Sequence, residues 1–85
     1  MGNRSRTEII ECILDAANKG RGTSKTKIMY FAFLSYTQLH EYLSLLVENK
    51  LLEYHDGTQT YKTTEKGLYF LKMNNEIKKL LPQTT

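Results

Sequence analysis

The stretch from Ser24 to Gly67 constrains this chain more than any other part of it. Ile28, Met29, Ala32 and Phe33 recur at helical spacing over Lys25–Phe33, and Leu39, Tyr42, Leu43 and Leu46 do the same over Tyr36–Asn49. Recurrence at three and four residues marks one buried face on each of two helices. Only Leu34-Ser35 separates them, which leaves room for a very short turn. Ser24 and Ser35 stand where N-caps are needed, because their hydroxyls accept from free backbone N–H groups of the first turn. Asn49-Lys50 ends the second of these helices, Asn being the residue that tolerates the left-handed conformation. Leu51–His55 and Thr58–Thr63 then read as two strands, and Asp56-Gly57 between them is a strong signal for a two-residue hairpin turn.

The flanks complete one domain. Ser5 or Thr7 caps a first helix, with Glu8 near its positive end, and Ile9, Ile10, Ile13, Leu14 and Ala17 form its inner face. Asn18-Lys19-Gly20 ends that helix, with Gly20 suited to a left-handed cap. Arg21–Thr23 is a small strand or an extended link. Thr64 caps a last helix that runs to about Leu81 and stops at Pro82, with Gln83–Thr85 as a tail and residues 1–4 frayed. The whole chain, 1–85, is a single domain. Residues 5–63 form a helix-turn-helix core with a hairpin, and 64–81 an added C-terminal helix. The expected class is mainly α with a small β-hairpin (α+β), a winged helix-turn-helix, a module that usually places its second helix in the DNA major groove.

Composition narrows the function. Eighty-five residues make one small domain with a marginal core. Twelve Lys and Arg against nine Asp and Glu give a net charge of +3, which fits a phosphate-facing surface or an ordinary lysine-rich exterior. Cys12 is the only cysteine, so an internal disulfide and a cysteine-rich zinc site are excluded. It sits among Ile9, Ile13 and Ala16 at helical spacing, a core position, and a reducing cytoplasm is the natural compartment. No apolar run is long enough to cross a membrane. There are no paired carboxylates, no nucleophile with its base, no phosphate-binding glycine loop and no metal-ligand spacing around His40 or His55. The chain reads as a non-enzyme with no cofactor, metal or small-molecule substrate.

For base reading, Leu39, Tyr42, Leu43 and Leu46 would hold the second helix rigidly while its outer face stays polar. Ser35, Tyr36, Thr37, Gln38, His40 and Glu41 occupy that outer side. Gln can pair bidentately with adenine, and Ser or Thr can reach bases or phosphates. No Arg or Lys precedes Lys50 on this helix, so attraction to phosphate must come from elsewhere. Arg21, Lys25 and Lys27 lie before and within the preceding helix, Arg4 and Arg6 could form an N-terminal arm, and Lys62 lies on the returning strand. His55, Thr58 and Gln59 stand at the hairpin tip. The outer acids Glu41 and Glu48 support an alternative, a winged-helix module that docks on proteins without touching DNA.

The run SKTKIMYFAFLSYTQLHEYLSLLVENKLLEY, followed by TYKTTEKGLYFL, resembles the small archaeal winged-helix DNA-binding proteins, over roughly residues 5 to 80. Some members are chromatin-associated and others transcriptional regulators. The resemblance implies a cytoplasmic, nucleoid-associated protein that binds double-stranded DNA through Ser35, Tyr36, Thr37, Gln38 and His40, through Lys25 and Lys27, and through a wing around Thr58 and Gln59. It also implies a homodimer in which the C-terminal helices pair as an antiparallel coiled coil. Phe70, Met73, Ile77 and Leu80, at alternating steps of three and four, fit such a seam. The alternative is a monomer whose last helix folds back on the first.

Overall fold

The computed structural model of the protein describes residues 4–81. The expected fraying at residues 1–3, the stop at Pro82 and the tail lie outside the described residues; Arg4, expected to be frayed with them, is instead bonded to the Phe33 carbonyl. Helix α1, Arg6–Ala17, opens with a reciprocal cap. Ser5 Oγ accepts from the Glu8 N–H at 3.1 Å, and Glu8 Oε1 accepts from the Ser5 N–H at 2.9 Å. The helix closes at Asn18, and Gly20, at φ +55, lies in the turn two residues beyond that cap. Gly22, at φ +134, closes the same turn against the sheet. A Cβ there would lie 2.8 Å from Thr60 Oγ1, so only glycine fits.

Helix α2, Lys25–Ala32, and helix α3, Tyr36–Glu48, form the expected pair, capped by Ser24 and Ser35. Their C-terminal ends differ from the sequence reading. Phe33 was expected inside α2 on its apolar face; instead it is left-handed, φ 54, and 83% exposed. The N–H groups of Phe33 and Leu34 turn back to the carbonyls of Tyr30 and Met29, a closure that needs a left-handed residue before the last donor. This reversal sends Leu34 into the core and leaves Phe33 outside. At the end of α3 the same closure runs from Lys50 to Val47 and from Leu51 to Leu46. The left-handed residue is therefore Lys50, φ 65, and not Asn49, whose side chain caps the Leu45 carbonyl at 2.8 Å.

Strands β1 (Thr23–Ser24), β2 (Leu52–His55) and β3 (Thr60–Thr63) make an antiparallel sheet in the order β1-β3-β2. The expected two-residue Asp56-Gly57 turn does not form. His55 pairs with Thr60, leaving a four-residue loop in which the Gln59 N–H reaches the Asp56 carbonyl and Gln59 is left-handed. The two registers differ by two residues, so each keeps the same side chains on the same face and the hydrophobic pattern does not choose between them. Tertiary contacts do. The observed register sets Thr63 opposite Leu52, both buried.

That placement serves α1. A helix leaves its last four carbonyls without internal partners. Thr63 Oγ1 donates to the Leu14 carbonyl at 2.6 Å and Thr23 Oγ1 to the Ala16 carbonyl at 2.7 Å, so two sheet threonines close the buried end of the helix. Around them Ile13, Leu14, Ile28, Leu39, Leu46 and Leu52 are fully buried. Each contributes about 1.5–3 kcal/mol by leaving water. Cys12 is half-buried against this core.

Helix α4, Glu65–Leu80, is capped by Thr64 and docks through Gly67, its one fully buried residue. It lies along α1, where Asn74 and Lys78 both bond the Glu11 carboxylate, Lys78 at 2.7 Å. The last helix does fold back on the first, yet the Phe70–Leu80 stripe is not consumed by that packing. Phe70 is half-buried, while Met73, Ile77 and Leu80 stay exposed. Among the described residues no helix is long and apolar enough to cross a membrane.

Candidate nucleic-acid interface

The first turn of α3 is built by its own cap. Ser35 Oγ accepts from the Gln38 N–H at 3.2 Å, and Gln38 Oε1 accepts from the Ser35 N–H at 3.2 Å. A bidentate pair with adenine needs both ends of the glutamine amide, and here the oxygen end is held by the cap. The outermost line of the helix is Thr37, Glu41, Ser44 and Glu48, all exposed and directed away from Leu39, Leu43 and Leu46. Tyr36 and His40 stand on the flank toward α2 and stack with their rings 6.4 Å apart.

On that flank lies a groove of about 330 Å³ between the start of α2 and the hairpin, lined by Ser24, Lys25, Thr26, Tyr54, Gln59 and Tyr61. Lys25 Nζ sits 5.2 Å from the centre of the Tyr36 ring, which joins the groove to the start of α3. Tyr54 and Tyr61 are cross-strand partners with ring centres 4.8 Å apart. Burial pushes the Tyr61 hydroxyl above the ordinary tyrosine value; the Lys25 charge pulls it back, and Tyr54 and Tyr36 add to the rise. Neutral phenols beside one ammonium make a row of donors that suits anionic oxygens. Sequence reasoning missed Tyr54 and Tyr61, reading them only as strand formers. Their cross-strand pairing was concealed by the two-residue turn expected at Asp56-Gly57, which sets Tyr54 against Gln59.

The structure divides the other expected contacts. Lys25 and Lys27 are two residues apart on a helix, about 200° around its axis, and therefore face different grooves. Lys27 lines a second groove with Lys19, Gly22, Ser24, Phe31 and Thr60. Lys62 follows Tyr61 and points to the opposite face of the sheet, where its ammonium donates to the Gly20 carbonyl at 2.7 Å. Arg21 is exposed in the turn just beyond. Thr58 stays at the hairpin tip with its hydroxyl 2.7 Å from that of Thr60. Arg4 and Arg6 do not extend as an arm: Arg4 donates to the Phe33 carbonyl at 3.2 Å, and Arg6 lies over the Tyr42 ring at 5.9 Å.

Several cations of the domain share one kind of support. Lys19 rests over Phe31, Lys25 over Tyr36, Arg6 over Tyr42, and Lys62 and Lys66 on backbone carbonyls. Such partners hold a side chain in place without cancelling its charge. Among the described residues only Lys78 of all the lysines and arginines is paired with a carboxylate, and it lies on α4. The described residues hold no cluster of ligands for a metal ion.

A family profile described as winged helix-turn-helix matches residues 3–81. The crystal structure of Sso10a-2, a DNA-binding protein from Sulfolobus solfataricus, is similar, with a TM-score of 0.76 at 28% identity, covering 91% of this chain and 81% of that one. No curated protein sequence matches.

Proposed function

The chain belongs to the winged helix-turn-helix family, and on that footing we propose that it binds double-stranded DNA as a small regulator or a nucleoid-associated protein of the cytoplasm, without catalytic activity. The observation that carries this reading is the set of cations around the start of α2 and α3, held over rings and carbonyls and left unneutralised. The DNA-binding character of Sso10a-2 supports it. In this reading Thr37, His40 and Glu41 of α3 face the major groove. Lys25, Tyr36, Tyr54 and Tyr61 grip a flanking phosphate strand, and Thr58 and Gln59 reach from the wing. Gln38 and Ser35 position the helix end, and Gln38 also offers its amide N–H to the DNA.

We further propose a homodimer through α4. Phe70, Met73, Ile77 and Leu80 line the seam, beside an almost wholly apolar groove that Leu51 and Tyr69 extend. A patch of this kind on so small a domain is a surface that gains from being covered. Such a dimer would set its two recognition helices about 34 Å apart, one turn of DNA, or a multiple of it.

Fluorescence anisotropy of a random duplex against a salt series tests the DNA reading. The logarithm of affinity should fall steeply with that of salt, and Lys25→Gln should flatten the slope by about 0.9, one phosphate contact. Absence of binding at low salt would overturn it. That outcome would favour the second reading, a protein-docking module, for which the exposed Tyr30 and Phe33 speak.

A further inference from the structure

We infer that the groove containing Lys19 and Lys27 is a second phosphate track, which carries the backbone of the bound duplex past the start of α2 and away from the reading helix. The inference rests on the DNA-binding reading above. It concerns a different surface from the one that α3, Lys25 and the wing compose.

The groove measures about 500 Å³, and Lys19, Gly22, Ser24, Lys27, Phe31 and Thr60 are among the residues that line it. No carboxylate lines it, and neither lysine is ion-paired. Lys19 is held 5.0 Å from the centre of the Phe31 ring. The turn that carries Lys19 and Arg21 is itself fastened to the sheet. The Gly22 N–H reaches the Lys19 carbonyl at 3.1 Å, Lys62 Nζ bonds the Gly20 carbonyl, and Gly22 abuts Thr60. A flexible ammonium on a mobile turn would lose much freedom on meeting a phosphate; Lys19 is already placed, so it loses less. Phe31 and Lys62 thus act as positioning residues.

The occupant follows from continuity. Ser24 lines both this groove and the one that holds Lys25, so the two meet at one helix end. A single sugar-phosphate strand passing that end meets Lys25 first and Lys27 with Lys19 next. The cations that a linear reading groups as one set of contacts are thereby ordered along the DNA, the second pair lying outside the segment that α3 reads.

The test uses the full chain and its Lys19→Gln/Lys27→Gln variant, with random duplexes of about 30 bp and about 10 bp, three helical turns and one. On the longer duplex the salt slope of the variant should fall by about two, one for each phosphate contact removed. The deficit should shrink as the duplex is shortened toward one turn. An unaltered slope on the longer duplex, or a deficit equal at both lengths, overturns the flanking track. Absence of binding by the wild-type protein at low salt removes both this inference and the reading beneath it, whereas wild-type binding with an unaltered variant removes this one alone.

Discussion

Replacing Gly67 by alanine tests how α4 is seated. Gly67 is the third residue of a sixteen-residue helix. On propensity alone Gly→Ala in a helix interior stabilises by about 1 kcal/mol. Here the added Cβ would fall 2.4 Å from the Leu51 carbonyl oxygen and 2.6 Å from Thr63 Cγ2. The oxygen cannot easily yield, because it also accepts the Thr64 N–H at 3.1 Å, and Thr63 is held by the Leu14 carbonyl. Forcing a methyl into a packed site costs about 1–3 kcal/mol, and a clash with pinned backbone belongs at the upper end. The net expectation is a loss of about 2 kcal/mol. At about 4–8 °C per kcal/mol for a domain of this size, the melting temperature should drop by about 8–16 °C. Thermal unfolding by circular dichroism measures it, with Gly57→Ala, where nothing lies within 4 Å, as a variant expected within about 0.5 kcal/mol of wild type. An unchanged or raised melting temperature for Gly67→Ala would refute the close approach of α4 to the exit of α3.

Three further outcomes are expected. Thr63→Val keeps the shape but leaves the Leu14 carbonyl without its donor, which should cost about 1–3 kcal/mol in urea unfolding; Thr58→Val at the exposed tip should cost much less. Ile77→Glu with Leu80→Glu places charge on the exposed α4 stripe, so sedimentation should show a monomer where the wild-type chain sediments as a dimer; a wild-type monomer at every concentration would refute the seam. Tyr61, raised by burial, should ionise above the ordinary value of about 10. Because its folded pKa lies above the unfolded one, the stability it contributes is full below pH about 10 and declines as pH rises through the folded value. Ultraviolet difference titration of wild type against Tyr61→Phe reads the missing late phase; an identical titration would refute that burial.

Much of this architecture was legible along the chain because its causes are local. Ser5 with Glu8, Ser24, Ser35 and Thr64 each stand where a hydroxyl can reach its own helix, so the starts of all four helices could be read without knowing what surrounds them. The helical spacing of Leu39, Leu43 and Leu46 likewise names its buried face in advance. Helix ends were harder. Phe33 and Lys50 adopt left-handed backbones that their types do not advertise, because the bonds returning from Leu34 and Leu51 require them.

The surface proposed to meet DNA was legible only as a list. Period and propensity place Lys25, Lys27, Lys62 and Tyr61 on their elements, and the sequence by itself thereby determined the element order, the polar outer face of the helix proposed to read DNA and the supply of charge. Only the tertiary structure decided which of these residues meet. Two hairpin registers bury the same faces, and the choice fell to Thr63, whose hydroxyl completes α1. That choice in turn set Tyr61 against Tyr54, while the pairing of β1 with β3 brought Lys62 to Gly20. Local rules act within one element, where spacing is constant. Contacts between elements depend on how their buried faces fit together, and no single segment contains that information.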